Sequence, residues 1–136
     1  MSYAVSSALQ SAVFGAMSND ATLSGLVSGA IYDAIPSGTL PTLYVSLGAE
    51  TVQERNDISG LGAEHLLTIS VVTEVPGFAA AKEVAGTICD LLHEAPLGLT
   101  RGRLVSIKFT RAKAAKIENG SGRQIDLIFR ARVEDD

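Results

Sequence analysis

Toward its C-terminal end the chain holds two stretches in which every second residue is apolar. Val105, Ile107 and Phe109 form the first; Ile125, Leu127, Phe129, Ala131 and Val133 form the second. Successive side chains of an extended strand point to opposite faces, so each stretch reads as a strand with one face to bury. Asn119-Gly120-Ser121-Gly122, between them, tolerates positive φ and turns the pair into a long β-hairpin. Both apolar sets must land on one face, so paired residue numbers are expected to sum to an even value. A slip by one would bury Lys108 and Arg130; the expected register puts Lys108, Arg130 and Arg132 on the outer face.

The layer that covers such a sheet is legible upstream. Val5, Leu9, Ala12, Val13, Ala16 and Met17 recur at three- and four-residue steps, which predicts a helix capped by Ser2 and running to about Met17. Ser18-Asn19-Asp20 breaks it and can cap a short helix from Ala21 to Val27, ended by Gly29. A brief apolar segment, residues 31–35, stops at Pro36. From Thr42 the period becomes two: Leu43, Val45 and Leu47 face one way, Thr42, Tyr44 and Ser46 the other. Residues 50–62 read as a polar, mobile connection ending in a Gly-rich turn. Leu67, Ile69, Val71, Thr73 and Val75 then alternate as a second long strand, closed by Pro76-Gly77. Residues 78–94 predict a helix with Phe78, Ala81, Val84, Ala85, Ile88, Leu91 and Leu92 on one face, terminated by Ala95-Pro96-Leu97-Gly98. The expected fold is α+β: a mainly antiparallel four- to five-stranded sheet with helices packed on one face, in one domain spanning 1–136.

Composition narrows the function. With 136 residues, 46% of them hydrophobic, the chain can build a core without a staple. Its lone cysteine, Cys89, excludes an internal disulfide and a cysteine-based zinc cluster. No Lys or Arg precedes Arg55, and no apolar run approaches the ~18 residues of a spanning helix, so neither a signal peptide nor membrane insertion is expected. Charge is segregated. Residues 1–100 carry two basic and ten acidic side chains; residues 101–136 carry nine basic and five acidic ones. Such asymmetry suits nucleic-acid contact or complementary faces between subunits; the plainer reading is a hairpin with one basic, solvated face.

Signs of catalysis are weak. His65 at a strand start and His93 in a last helical turn read as surface or capping residues, and Cys89 as a small buried hydrophobe. The carboxylates show no metal-ligand spacing. Gly60-Leu61-Gly62 precedes a strand instead of opening a helix, so it is not a dinucleotide fingerprint. Hence no catalytic residue, cofactor or metal is assigned. The basic third could track phosphates, but Phe109 and Phe129 are expected to point inward and Trp is absent, which leaves non-specific contact only.

The segments in their order, SYAVSSALQSAVFGAM, NDATLSGLV, GAIYDAIP, PTLYVSLG, GAEHLLTISVVTE, PGFAAAKEVAGTICDLLHEAPLGL and RLVSIKFTRAKAAKIENGSGRQIDLIFRARVE, cover nearly the whole chain. Together they resemble the tail-terminator, or tail-completion, proteins of long-tailed phages, most of all those of alphaproteobacterial gene transfer agents. The resemblance implies a small α/β subunit without an active site that forms a homo-oligomeric, hexameric ring at the head-proximal end of the tail. It further implies contacts with the tail tube protein and the head–tail connector protein, with DNA passing non-specifically through the lumen. A head–tail connector or neck subunit is the alternative, and a small binding module a more distant one. In either particle role the interface is expected on the basic hairpin face and the 50–62 segment: Glu50, Glu54, Arg55, Asp57, Lys108, Arg111, Lys113, Lys116, Arg123, Arg130 and Arg132.

Overall fold

The computed structural model describes residues 3–55, 62–117 and 122–135, and these form three helices and five strands. Helix α1 (Ser6–Ser18) starts three residues later than expected, with Val5 at its N-cap and no side-chain cap; Ser2 lies outside the described residues. Its stripe holds: Val5, Leu9, Val13 and Met17 are buried, while Ala12 and Ala16 lie at the stripe's margin, half-buried. Helix α2 (Ala21–Val27) has the expected Asp20 cap, whose Oδ2 accepts the Leu23 N–H at 2.9 Å, and it ends through left-handed Ser28 and Gly29. Helix α3 (Ala79–Leu92) is shorter than predicted, with Phe78 and His93 as its caps. Its buried face is Ala81, Val84, Ala85, Ile88 and Leu92.

The strands are β1 (Ile31–Tyr32), β2 (Leu43–Glu54), β3 (Gly62–Thr73), β4 (Arg103–Lys116) and β5 (Arg123–Glu134), in the order β1-β2-β3-β5-β4. Every pairing is antiparallel except the short β1–β2 contact. The second half of the apolar segment around Ile31 is therefore not strand. Two boundaries also differ from expectation. β3 ends at Thr73, short of Val75, which is 43% exposed. More consequentially, residues 50–54 are not a loop: they continue β2, and Gly62 already opens β3. Asp57, Gly60 and Leu61, and residues 119–121 of the predicted hairpin turn, lie outside the described residues.

Register decides which side chains meet. The even-sum rule holds for β4–β5 only over residues 106–109, where Lys108 faces Arg130 and Phe109 faces Phe129. Irregularities between Leu104 and Ser106 and between Phe109 and Arg111 each insert one residue into β4, so Arg103↔Glu134 and Arg111↔Ile128 sum to odd values. The parity argument assumed an unbroken ladder, and a bulge adds one residue on one side only. The bulges also explain Val105, which is 44% exposed although it continues the apolar alternation. A third bulge lies in β2, where Gly48 and Ala49 together face Thr68 between the pairs Leu47↔Ile69 and Glu50↔Leu67. It flips the following residues, so Glu50 and Val52 turn toward the helix-covered face instead of away from it.

One apolar cluster results. Val45, Ile69, Val71, Ile107, Ile125, Leu127, Phe129, Ala131 and Val133 line the sheet's inner face and meet Leu9, Val13, Met17, Leu23, Val84, Ile88 and Leu92 from the helices. Phe129 is fully buried at its centre. Phe109, its T-shaped neighbour at 5.8 Å, shares the face, so both rings point inward as expected, but Phe109 remains 38% exposed. The reason is position: β5 lies inside the sheet, β4 at its rim. The turn into β4 depends on Gly102, at φ +69°, where a Cβ would come within 2.5 Å of the Glu134 carbonyl oxygen.

Candidate functional site

Two features stand apart from the core, one basic and one buried and polar. The basic one lies along β4 and β5. Alternation sends Lys108, Arg111 and Lys113 outward from β4, and Arg130 and Arg132 outward from β5, onto the sheet face away from the helices. Lys108 and Arg130 are direct cross-strand partners, and neither makes an ion pair among the described residues; the same is true of Arg111, Lys113 and Lys116. Like charges placed opposite each other destabilise a sheet, so the Lys108–Arg130 pair adds nothing to the subunit's own stability; Asp126, opposite Lys113, is the one carboxylate that β5 sets across from these cations. Beside it a groove lined by Ala49, Thr68, Arg111, Lys113, Asp126 and Ile128 crosses the outer face.

The remaining predicted interface residues sit differently. Arg132 is half-buried and its Nη2 donates to the Arg55 carbonyl oxygen at 3.1 Å, so it holds the strand end rather than offering a bare charge. Arg55 reaches Gln53 at 3.1 Å and lies 3.9 Å from Glu64, an exposed pair worth little by itself. Glu54 closes β2 at the same end. Arg123, at the other end of β5, stacks its guanidinium 5.6 Å from the Phe78 ring centre. Lys116 is exposed and turned toward the helix side. The structure thus gathers Lys108, Arg111, Lys113 and Arg130 on one face and separates them from Glu50.

Glu50 belongs to the second feature. Its carboxylate accepts from the Tyr3 hydroxyl at 2.5 Å, the Ser6 hydroxyl at 2.9 Å and His65 Nδ1 at 2.9 Å. His65 is fully buried, not the surface residue its place at a strand start suggested. Nδ1 faces the carboxylate and donates to it, while Nε2 has no partner among the described residues. Burial pushes the Glu50 carboxyl up, but the hydrogen bonds from Tyr3, His65 and Ser6 and the electrostatic pull of His65 outweigh it, and the group is held below the ordinary carboxylate range. The arrangement ties the N-terminal turn to the sheet. The one signal in the sequence that could have found it is Gly48, since a glycine inside a strand often marks a bulge.

The other reactive groups are engaged or subdued. His93 is exposed, and its Nδ1 accepts the Phe109 N–H at 3.0 Å. Burial, and then the neighbouring Asp90 charge, push the Cys89 thiol up, away from the thiolate a reactive cysteine needs. No helix among the described residues is long and apolar enough to cross a membrane.

The family model described as "Tail completion protein gp17" matches residues 11–134. Among solved structures, a chain from a structure entitled "Virion of native gene transfer agent (GTA) particle" is 52% identical, with a TM-score of 0.92, over 98% of this chain and 99% of that one. A search of curated proteins finds no match.

Proposed function

The chain belongs to the tail completion protein gp17 family and is a structural component of a phage-like tail, and from that premise we propose that it forms the ring that caps the tail tube at its head-proximal end. In this role it ends tube polymerisation and presents the surface that joins the head's connector, while DNA passes through the lumen without sequence-specific contacts. Bond-making chemistry has no part in it. The observation that carries the reading is the match, over 98% of this chain and 99% of the other, to a chain of a gene transfer agent virion. The cluster of Lys108, Arg111, Lys113 and Arg130 supports it, because a surface that waits for anionic neighbours suits a subunit completed only on assembly.

Particles assembled without the protein test the assignment. Overlong tails, seen by electron microscopy, are the expected result; finished tails of normal length detached from heads would favour the connector station instead. A charge reversal tests the surface. Lys108→Glu with Arg130→Glu is expected to leave thermal stability within about 0.5 kcal/mol, since both side chains are exposed and already repel one another. The same variant should fail to yield terminated tails. Arg132 is left out of that variant because its bond to Arg55 would confuse folding with assembly.

A further inference from the structure

We propose that residues 111–116 of β4 in one copy pair with residues 50–54 of β2 in the next, so that subunits join head to tail through a shared sheet. This rests on the ring-forming reading and names the contact that builds the ring. The sheet has two rims, and each is covered over only part of its length. On β2 the parallel strand β1 occupies Val45 and Ser46 alone, so among the described residues no strand lies on the outer side of residues 50–54. On β4 the end of α3 covers the inner half: His93 takes the Phe109 N–H at 3.0 Å, and the Glu94 N–H donates to the Ile107 carbonyl at 2.7 Å. Beyond the bulge at Thr110 that cover stops, and every residue from 110 to 116 is exposed.

Backbone polarity then decides what each rim offers. The Ile117 N–H points to β5, where it bonds the Gly122 carbonyl at 2.8 Å, so by alternation residues 112, 114 and 116 direct their backbone groups outward. The Arg55 N–H likewise points to β3, bonding Gly62 at 2.8 Å, which turns the backbone of residues 50, 52 and 54 outward. The exposed Arg55 side chain, which reaches the Glu54 carbonyl at 3.3 Å, must swing aside.

Three independent conditions for joining these rims are met. First, β4 is antiparallel to β5, β5 to β3 and β3 to β2, so a copy related by rotation about a ring axis presents its β2 antiparallel to β4. Second, residues that pair directly must share a face. Ala114 lies opposite Ile125 and Val52 opposite His65, so both outward sets carry their side chains on the helix side, and the helices of successive copies stay on one side of the joined sheet. Third, one charge match is present: Lys116 on one rim shares the helix side with Glu50 and Glu54 on the other, whereas Arg111 and Lys113 lie on the opposite face. Two-fold pairing of β4 with β4 would instead set those cations against themselves, which is how charged edge strands refuse symmetric partners.

The geometry closes. The row through Ala114 crosses β3 at Val71, whereas the row through Val52 crosses it at His65, six positions away. Pairing Ala114 with Val52 therefore staggers neighbouring copies by ~20 Å along the strands, over a width of four strands, ~19 Å. The strands would then incline at about 45° to the ring axis, within the range of closed sheets.

Cross-linking in assembled particles tests this. In a Cys89→Ala chain, Val52→Cys is combined in turn with Ala112→Cys, Ala114→Cys or Lys116→Cys, three registers that each give an even sum. One double variant is expected to give a ladder of disulfide-linked multimers after oxidation, and the single variants none. Ala114→Pro removes an outward N–H without touching the β5 ladder. It is expected to leave the melting curve of the free subunit in place and to lower the yield of terminated tails at least tenfold. Rings and tails of normal length without a cross-link in any register, together with normal termination by Ala114→Pro, would overturn the shared sheet and spare the ring. Absence of rings from wild-type particles would overturn both.

Discussion

Phe129→Ala is expected to lower stability by about 3–5 kcal/mol, the largest effect of any single truncation in this fold. The ring is fully buried in β5, between Leu67 on β3 and Phe109 on β4, so its loss opens a cavity that two paired strands cannot collapse to fill. Against a total stability of about 5–15 kcal/mol for a domain of ordinary size, that is a large share. Urea titration followed by far-UV circular dichroism measures it, as a lower midpoint with the slope unchanged. A loss below about 1.5 kcal/mol would mean that the core repacks around the gap and that β5 is not its centre. The same truncation at Phe109 should cost clearly less, because that ring at the sheet's rim already gives up part of its surface to water.

The second large effect is expected at Glu50. Changing it to alanine removes the acceptor shared by Tyr3, Ser6 and His65 and leaves a buried imidazole without a partner on either nitrogen. Breaking a buried hydrogen-bonded pair on one side costs about 3 kcal/mol. The N-terminal turn should loosen with it, which limited proteolysis ahead of α1 would report. Glu50→Gln separates charge from shape: it keeps an acceptor and the volume, so it should cost less at neutral pH. The pH dependence follows from the direction of the Glu50 shift. Its folded value is held below the ordinary 4.5, so near that pH the unfolded chain binds more protons than the folded one, and stability rises with pH. The stabilisation is present above 4.5 and is lost as pH falls through the lower, folded value. Wild-type protein should therefore lose stability in acid more steeply than Glu50→Gln. Parallel acid limbs for the two proteins would show that the carboxylate is not what holds the network.

Much of this molecule was readable residue by residue. Asp20 announces the start of α2, the spacing of Ala81, Val84, Ala85, Ile88 and Leu92 announces α3, and the alternation from Ile125 to Val133 announces β5 with its buried face. The basic outer face follows from the same alternation, and the order of segments points to the tail completion family that the comparisons show. The misplaced parts share one cause. Residues 50–54 are polar enough to look like loop, yet they are strand because β3 offers a hydrogen-bonding rim of equal length. His65 looked exposed because it opens a strand beside Glu64, which points to the other face; its partner Glu50 lies 15 residues away and turns inward only through the bulge at Gly48 and Ala49.

What the amino-acid order determined by itself is periodicity: which stretches coil, which extend, and which face of each is apolar, because side-chain direction repeats every 3.6 or every two residues whatever the partner. What the tertiary structure alone decided is where that period is interrupted. A bulge is a mismatch between two strands, written in neither of them, and three such mismatches direct Glu50 inward, Val105 outward and the far half of β4 past its covering helix.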